Sequence, residues 1–314
     1  MSTLRVAVIG TGFWGKNHAR VYKELTETEL VAVCDINPER AKNVAAQFGV
    51  KPYSSVGKML GDRRIDAVSV CTWSTSLAKE AMKALRAKKH VLVEKPMATS
   101  HKQAQQLIET AKKLNLHLTV GFLMRFIPGI QHMKKAIEDK TIGELVCASA
   151  KRVSQWPERI GDVGVVKDTA IHDIDVVRYL FDKDPIMVCA KTGSMRHKKY
   201  EDYAQIMLTF AGGKTAFIES NWLTPYKTRT LIVTGSEEIM KLDYISQELA
   251  IENARETVQP RLTWQEPLKL ELRHYANCIL SDKKPLVTGE DGLKALQVAE
   301  AALKSSTVCR AIKL

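Results

Sequence analysis

The chain has 314 residues, is 45% hydrophobic and 26% charged, and carries a formal net charge of +12; it is long enough for two domains and has the composition of a soluble globular protein. Its lysines and arginines are spread out without a run of five and without a helix-turn-helix, zinc-finger or RNP pattern, which favours a solvated basic surface or an anionic small molecule over nucleic acid. No apolar run nears the roughly 20 residues that a bilayer demands, no signal peptide is read, and the six scattered cysteines (34, 71, 147, 189, 278, 309) form no CxxC pair, so the expectation is a cytoplasmic protein with reduced thiols and neither membrane partner, disulfide frame nor zinc site.

In chain order, Leu4–Ile9 reads as a strand, followed by a glycine turn and a helix to about Leu25. Leu30–Cys34 is a strand, and Pro38 opens a helix through Phe48 that Gly49 ends. A short helix over Ser55–Leu60 follows. Ile65–Thr72, His90–Val93 and His117–Val120 read as strands, separated by helices over Ser76–Ala87 and Ser100–Leu114. This alternation predicts a parallel, doubly wound sheet covered on both faces, over residues 1–122. From 123 to 314 the pattern changes. A helix over Pro128–Glu138 leads to a long strand, Glu144–Val153, and a later helix ends at Phe181. Strands follow at Met187–Met195, Tyr203–Phe210, Lys214–Trp222, Thr230–Thr234 and Ile239–Leu242, with Ala211-Gly212-Gly213 as a hairpin turn. Helices over Leu268–Ser281 and Glu290–Ser305 close an α+β second domain built on an open, mainly antiparallel sheet.

The turn Gly10-Thr11-Gly12-Phe13-Trp14-Gly15 fits GxGxxG in its required setting, after a strand and opening a helix, and Asp35 ends the second strand 20 residues past Gly15. Gly10 permits the tight turn, Gly12 lets the backbone approach a pyrophosphate, and Gly15 lets the helix pack closely on the sheet. The helix N-terminus offers N–H groups to the anion. Asp35 suits ribose hydroxyls and repels a 2′-phosphate, which favours NAD; Arg40, close by in sequence, keeps NADP open. Phe13, Trp14, Thr72, Glu94 and Lys95 complete the cofactor candidates.

Lys167-Asp168-Thr169-Ala170-Ile171-His172-Asp173-Ile174-Asp175 places Asp168, His172 and Asp175 at i, i+4 and i+7. Taken alone, Asp168 serves equally well as a helix cap. With Glu94-Lys95-Pro96 after the strand His90–Val93, Gly121-Phe122, and Arg125-Phe126, the chain closely resembles, over essentially its whole length, the glucose–fructose oxidoreductase, inositol dehydrogenase and MocA family. The resemblance implies a nicotinamide-dependent sugar or cyclitol dehydrogenase that self-associates as a dimer or tetramer. It implies that Lys95 lies beside the reacting carbinol, that His172 handles its proton, that Asp168 contacts substrate or orients the histidine, and that Asp175 binds a sugar hydroxyl. The chemistry agrees. A neutral imidazole titrates near working pH, and an ammonium stabilises a developing alkoxide. Asp173, about 100° round the helix from His172, falls outside the set. No HExxH-like spacing suggests a metal, and hydride transfer needs none.

Residues 151–164 bring Lys151, Arg152 and Arg159 around Trp156. Arginine suits phosphate oxygens and an indole stacks on a flat ring. The run Pro157–Asp175 resembles the branch that oxidises the 3-hydroxyl of UDP-N-acetylglucosamine or its uronic acid. The expected substrate residues are therefore Lys95, Arg125, Arg152, Trp156, Arg159, Asp168, His172 and Asp175. The alternatives are an inositol or free-sugar dehydrogenase and, from another class, a non-catalytic dinucleotide sensor, in which the lysine–histidine set would be broken rather than intact.

Overall fold

Short Val- and Ile-rich runs become parallel strands wherever a helix returns the chain to the same end of a sheet. The computed structural model, which describes residues 3–157 and 161–314, opens with that pattern. In order come β1 (Leu4–Ile9), α1 (Phe13–Glu24), β2 (Thr28–Cys34), α2 (Pro38–Phe48), β3 (Lys51–Tyr53), α3 (Val56–Leu60), β4 (Ala67–Val70), α4 (Ser74–Arg86), β5 (His90–Val93), α5 (His101–Lys113) and β6 (Leu118–Val120). The strand order is β3-β2-β1-β4-β5-β6, with every pair parallel. The order reverses between β1 and β4, the place where doubly wound sheets open a crevice for ligands. Local chemistry sets the helix ends. Pro38 occupies the first turn of α2, the Asn37 side chain accepts the Arg40 N–H, and Gly49 closes the helix at φ 66°.

After a single 3-10 turn at Leu123–Phe126, the chain forms α6 (Pro128–Glu138), β7 (Leu145–Val153), α7 (Ile171–Phe181), β8 (Met187–Gly193), β9 (Tyr203–Thr209), β10 (Thr215–Asn221), β11 (Thr228–Gly235), β12 (Ile239–Asp243), β13 (Leu249–Glu252) and β14 (Thr257–Val258). α8 (Pro267–Leu280), α9 (Gly289–Val308) and β15 (Ile312–Lys313) end it. The nine-stranded sheet runs β14-β13-β12-β11-β7-β10-β9-β8-β15 and is antiparallel except for the central β7–β10 pair. Alternation is regular along β9 and β10. Ala204, Ile206, Leu208, Ala216 and Ile218 are buried, while Gln205 and Phe217 between them are exposed.

Two units result, Met1–Leu123 with Pro267–Leu293, and Met124–Glu266 with Lys294–Leu314. In this division residues 267–293 belong with the first unit, whereas the sequence reading cuts the chain once, between 122 and 123. The reason is packing. Leu268, Leu272, Tyr275 and Ala276 of α8 join Leu4, Val6, Val8 and Tyr22 in one apolar core. Lys269 and Arg273 pair with Glu24 and Glu27 at the rim of that contact. Among the described residues no helix is long and apolar enough to cross a membrane.

Candidate active site

The glycine turn is fitted to its neighbours at two points. Gly10 has φ +88°, and a Cβ there would lie 2.7 Å from the Cys71 carbonyl; a Cβ on Gly15 would lie 1.7 Å from the Gly10 carbonyl oxygen. Gly12 is different: its Cβ would meet nothing within 4 Å. The turn therefore leaves room where a pyrophosphate would approach, and no side chain caps α1 among the described residues, so its first N–H groups remain available to an anion. Asp35 is buried at the end of β2 and accepts the backbone N–H of Thr11 (2.8 Å) and of Asn37 (2.9 Å), which aims the carboxylate along the turn. Arg40 is exposed, with Nη1 3.5 Å from Asp35 Oδ2. Thr72 follows β4, its backbone N 3.0 Å from where a Gly10 Cβ would stand.

Large apolar side chains stand open to solvent past the carboxyl ends of three adjacent strands: Phe13 after β1, Ile36 after β2 and Trp73 after β4, at 75%, 93% and 52% exposure. Exposure on this scale suits the faces of flat rings. The sequence reading named Phe13 and missed Ile36 and Trp73, although each directly follows a strand end in a fold whose strand ends bind ligand. These residues fit NAD.

Glu94 has a different place from the one expected. It is buried, it accepts the Trp14 Nε1–H (2.5 Å), and its Oε1 lies 3.0 Å from His18 Nε2. Its Oε2 accepts the Lys95 N–H at 3.2 Å. Glu94 and Trp14 thus join α1 to the end of β5, where Lys95 stands half-buried.

In the second unit, one π-helical turn, Val166–Ala170, opens α7 and carries Asp168. Asp168 therefore lies inside the helical run and does not cap it. Such widened turns recur at functional sites. The turn is fastened from several sides. Glu201 accepts the Val165 N–H through its backbone carbonyl (2.9 Å) and the Val166 N–H through its carboxylate (3.1 Å). A Cβ on Gly164 would lie 2.2 Å from that carboxylate. Trp222 Nε1 donates to Thr169 Oγ1 at 3.0 Å, and Lys167 pairs with Glu300 at 3.1 Å. Burial raises the Glu201 pKa against the N–H groups and Lys167 that lower it.

His172 is 9% exposed on α7. Two buried ion pairs set the rotation of that helix. Arg152 of β7 grips Asp173 (Nε to Oδ2 2.7 Å, Nη2 to Oδ1 2.9 Å), and Arg125 grips Asp175 (Nε to Oδ2 2.8 Å, Nη2 to Oδ1 2.6 Å). At about 100° per residue these acids project on opposite sides of the His172 direction, so the two pairs fix the direction in which the helix presents His172.

Three expected substrate contacts change place as a result. Arg125 and Asp175 bind each other, with side chains 5% and 0% exposed, and Arg152 is committed to Asp173 at 3% and 1%. Arg159 lies outside the described residues. Trp156 keeps a ring environment: Trp222 meets it edge-on at 6.3 Å, and Arg196, which the sequence reading did not name, sits 4.5 Å over the ring. The Arg196 loop is held by buried Asp202, which accepts the N–H groups of Met195, Arg196 and His197. No spacing rule relates Arg196 to Trp156, because a loop 40 residues downstream brings it there.

A doubly wound sheet with a dinucleotide cradle, joined to a unit that presents a buried histidine beside an acid, defines an NAD-dependent oxidoreductase. The family models agree. Residues 4–122 match the oxidoreductase family with NAD-binding Rossmann fold, and residues 130–241 match the GFO/IDH/MocA C-terminal domain. The chain belongs to the Gfo/Idh/MocA family. It is 30% identical to the inositol 2-dehydrogenase/D-chiro-inositol 3-dehydrogenase of Halalkalibacterium halodurans, over 97% of this chain and 91% of that protein. It is 27% identical to the UDP-N-acetylglucosamine 3-dehydrogenase of Acidithiobacillus ferrooxidans, over 95% of this chain and 96% of that protein. A crystal structure of the Acidithiobacillus enzyme superposes with a TM-score of 0.91 at 27% identity, covering 98% of this chain and 99% of that one. The relatives are thus sugar and polyol dehydrogenases, and this chain is an NAD-dependent dehydrogenase of that family.

Proposed function

We propose that the chain oxidises a secondary hydroxyl of a sugar, the 3-hydroxyl of a UDP-N-acetylhexosamine, by hydride transfer to nicotinamide. The observation that carries the proposal is the π-helical turn that holds Asp168 one turn ahead of His172 on a helix locked by two ion pairs. NAD supplies the hydride acceptor when bound. The remaining work falls to protein groups. His172 takes the hydroxyl proton and returns it in reverse; Asp168 accepts a hydrogen bond from substrate or biases the imidazole tautomer. Lys95 is the group suited to stabilising alkoxide character. Asp173 and Asp175 act at one remove by fixing the helix.

The full-length likeness to the Acidithiobacillus enzyme and the Trp156–Arg196 stack support the nucleotide sugar. The inositol dehydrogenase at 30% identity supports the second reading, a polyol or free-sugar substrate. Exposed Phe217, beside Met207 on β9, supports self-association as a dimer or tetramer through the open sheet face. The test is a panel of UDP-sugars, inositols and free hexoses with NAD and NADP, followed by absorbance of the reduced cofactor. Turnover of UDP-N-acetylglucosamine with NAD is expected. Turnover of inositols alone refutes the nucleotide-sugar reading, and turnover of nothing refutes both.

A further inference from the structure

β11 pairs antiparallel with β7, and Arg229 stands directly opposite Arg152. Their side chains therefore leave the same face of the sheet, where like charges repel. Arg152 spends Nε and Nη2 on Asp173; its Nη1 is buried and has no acceptor among the described residues. The Arg229 side chain is half-buried and makes no hydrogen bond or ion pair among the described residues. Burial, then Arg152, push its guanidinium down to about 10, although Asp173 and Asp168 act in the opposite sense. Lys227, two residues earlier on the same side of the chain and exposed, is pushed down as well, by Arg229 first and then by burial and Arg152.

Three cations thus run from solvent to core past two carboxylates. Asp173 is consumed by Arg152, and Asp168 sits in the π-helical turn. Among the described residues nothing neutralises this half-buried guanidinium, and such a charge contributes nothing to the fold until a partner reaches it. We propose that Lys227 and Arg229 form a subsite for an anionic group of the substrate, a phosphate or a carboxylate, beside Asp168. The proposal rests on reading the second unit as the one that holds substrate, and it assigns anion recognition to Lys227 and Arg229, at the start of β11, in place of the Lys151, Arg152 and Arg159 set.

The test is equilibrium binding to the full chain with NAD saturating, followed by intrinsic tryptophan fluorescence, with UDP, glucuronate and glucose as probes. The expected result is that one anion binds the wild type far more tightly than neutral glucose, and that R229Q weakens that anion about tenfold or more while leaving glucose unchanged. R229K is expected to stay within about threefold of the wild type. Whether UDP or glucuronate responds tells phosphate from carboxylate. The proposal is overturned if neither anion is preferred, if R229Q binds both as the wild type does, or if it loses glucose equally. Should R229Q fail to fold by circular dichroism, K227Q at an exposed position decides, and unchanged anion binding there overturns the subsite. Binding needs no turnover, so an absence of reduced cofactor with every sugar refutes the dehydrogenase reading separately.

Discussion

Replacing Asp175 with Asn separates a structural role from a substrate role. The Asp175 carboxylate is 0% exposed and meets the Arg125 guanidinium in a two-point contact of 2.8 and 2.6 Å, with Arg178 Nη1 3.9 Å away. D175N leaves a buried guanidinium without its counter-charge, a change that costs about 3–5 kcal/mol. Asn keeps one acceptor, so the lower end applies. At about 2–4 °C per kcal/mol for a unit of this size, Tm is expected to fall by about 6–12 °C. The double variant R125M/D175L, apolar on both sides, is expected to recover most of that loss, since removing both charges removes the desolvation they suffer. Differential scanning calorimetry of the wild type, D175N and the double variant measures it, with kcat/KM taken well below the melts. A D175N melt within about 2 °C of the wild type, joined to a raised KM, would refute the reasoning and return Asp175 to the substrate.

K95M and H172N are each expected to lower kcat by about 10²–10⁴-fold with Tm preserved, and unchanged turnover in both would discard the acid–base assignment. G12V adds a side chain where nothing lies within 4 Å, so the fold should persist while NAD affinity drops by an order of magnitude or more, read by titration calorimetry. Full NAD affinity in G12V contradicts the placement of the pyrophosphate. His90 supplies a pH dependence: burial, then His117, lower its pKa from 6.5 to about 4. Between those values the unfolded chain takes up a proton that the folded chain declines. The stability contributed by neutral His90 is therefore whole above pH 6.5 and declines as pH falls toward about 4. H90Q should flatten the Tm-versus-pH curve across that window, and an unaltered slope is the contrary result.

The parts legible in the sequence were those with local causes. His90–Val93 and Pro128–Glu138 agree end to end with β5 and α6, because an apolar run and a helix-opening proline need no distant partner. β3 holds three residues with Pro52 in the middle, and β13 to β15 are two to four residues long; these exist because a neighbouring strand pairs with them. The glycine cradle was legible for the same local reason. The substrate side was misread at Lys151 and Arg152, taken as one cationic cluster although consecutive strand residues face opposite ways. Arg152 turns inward to Asp173, and Lys151 outward to Glu219 at 3.2 Å. The π-helical turn has no local signature, since Glu201 and Trp222 impose it from far along the chain.

The bond from Trp14 to Glu94 has a bearing on redesign. Because His18 touches the same carboxylate, the nucleotide loop and the lysine-bearing loop cannot be exchanged independently. Anyone who transplants a foreign glycine loop to convert this chain from NAD to NADP must carry over compatible residues at positions 14, 18 and 94 together. A graft that stops at Gly15 would displace the lysine it was meant to leave alone.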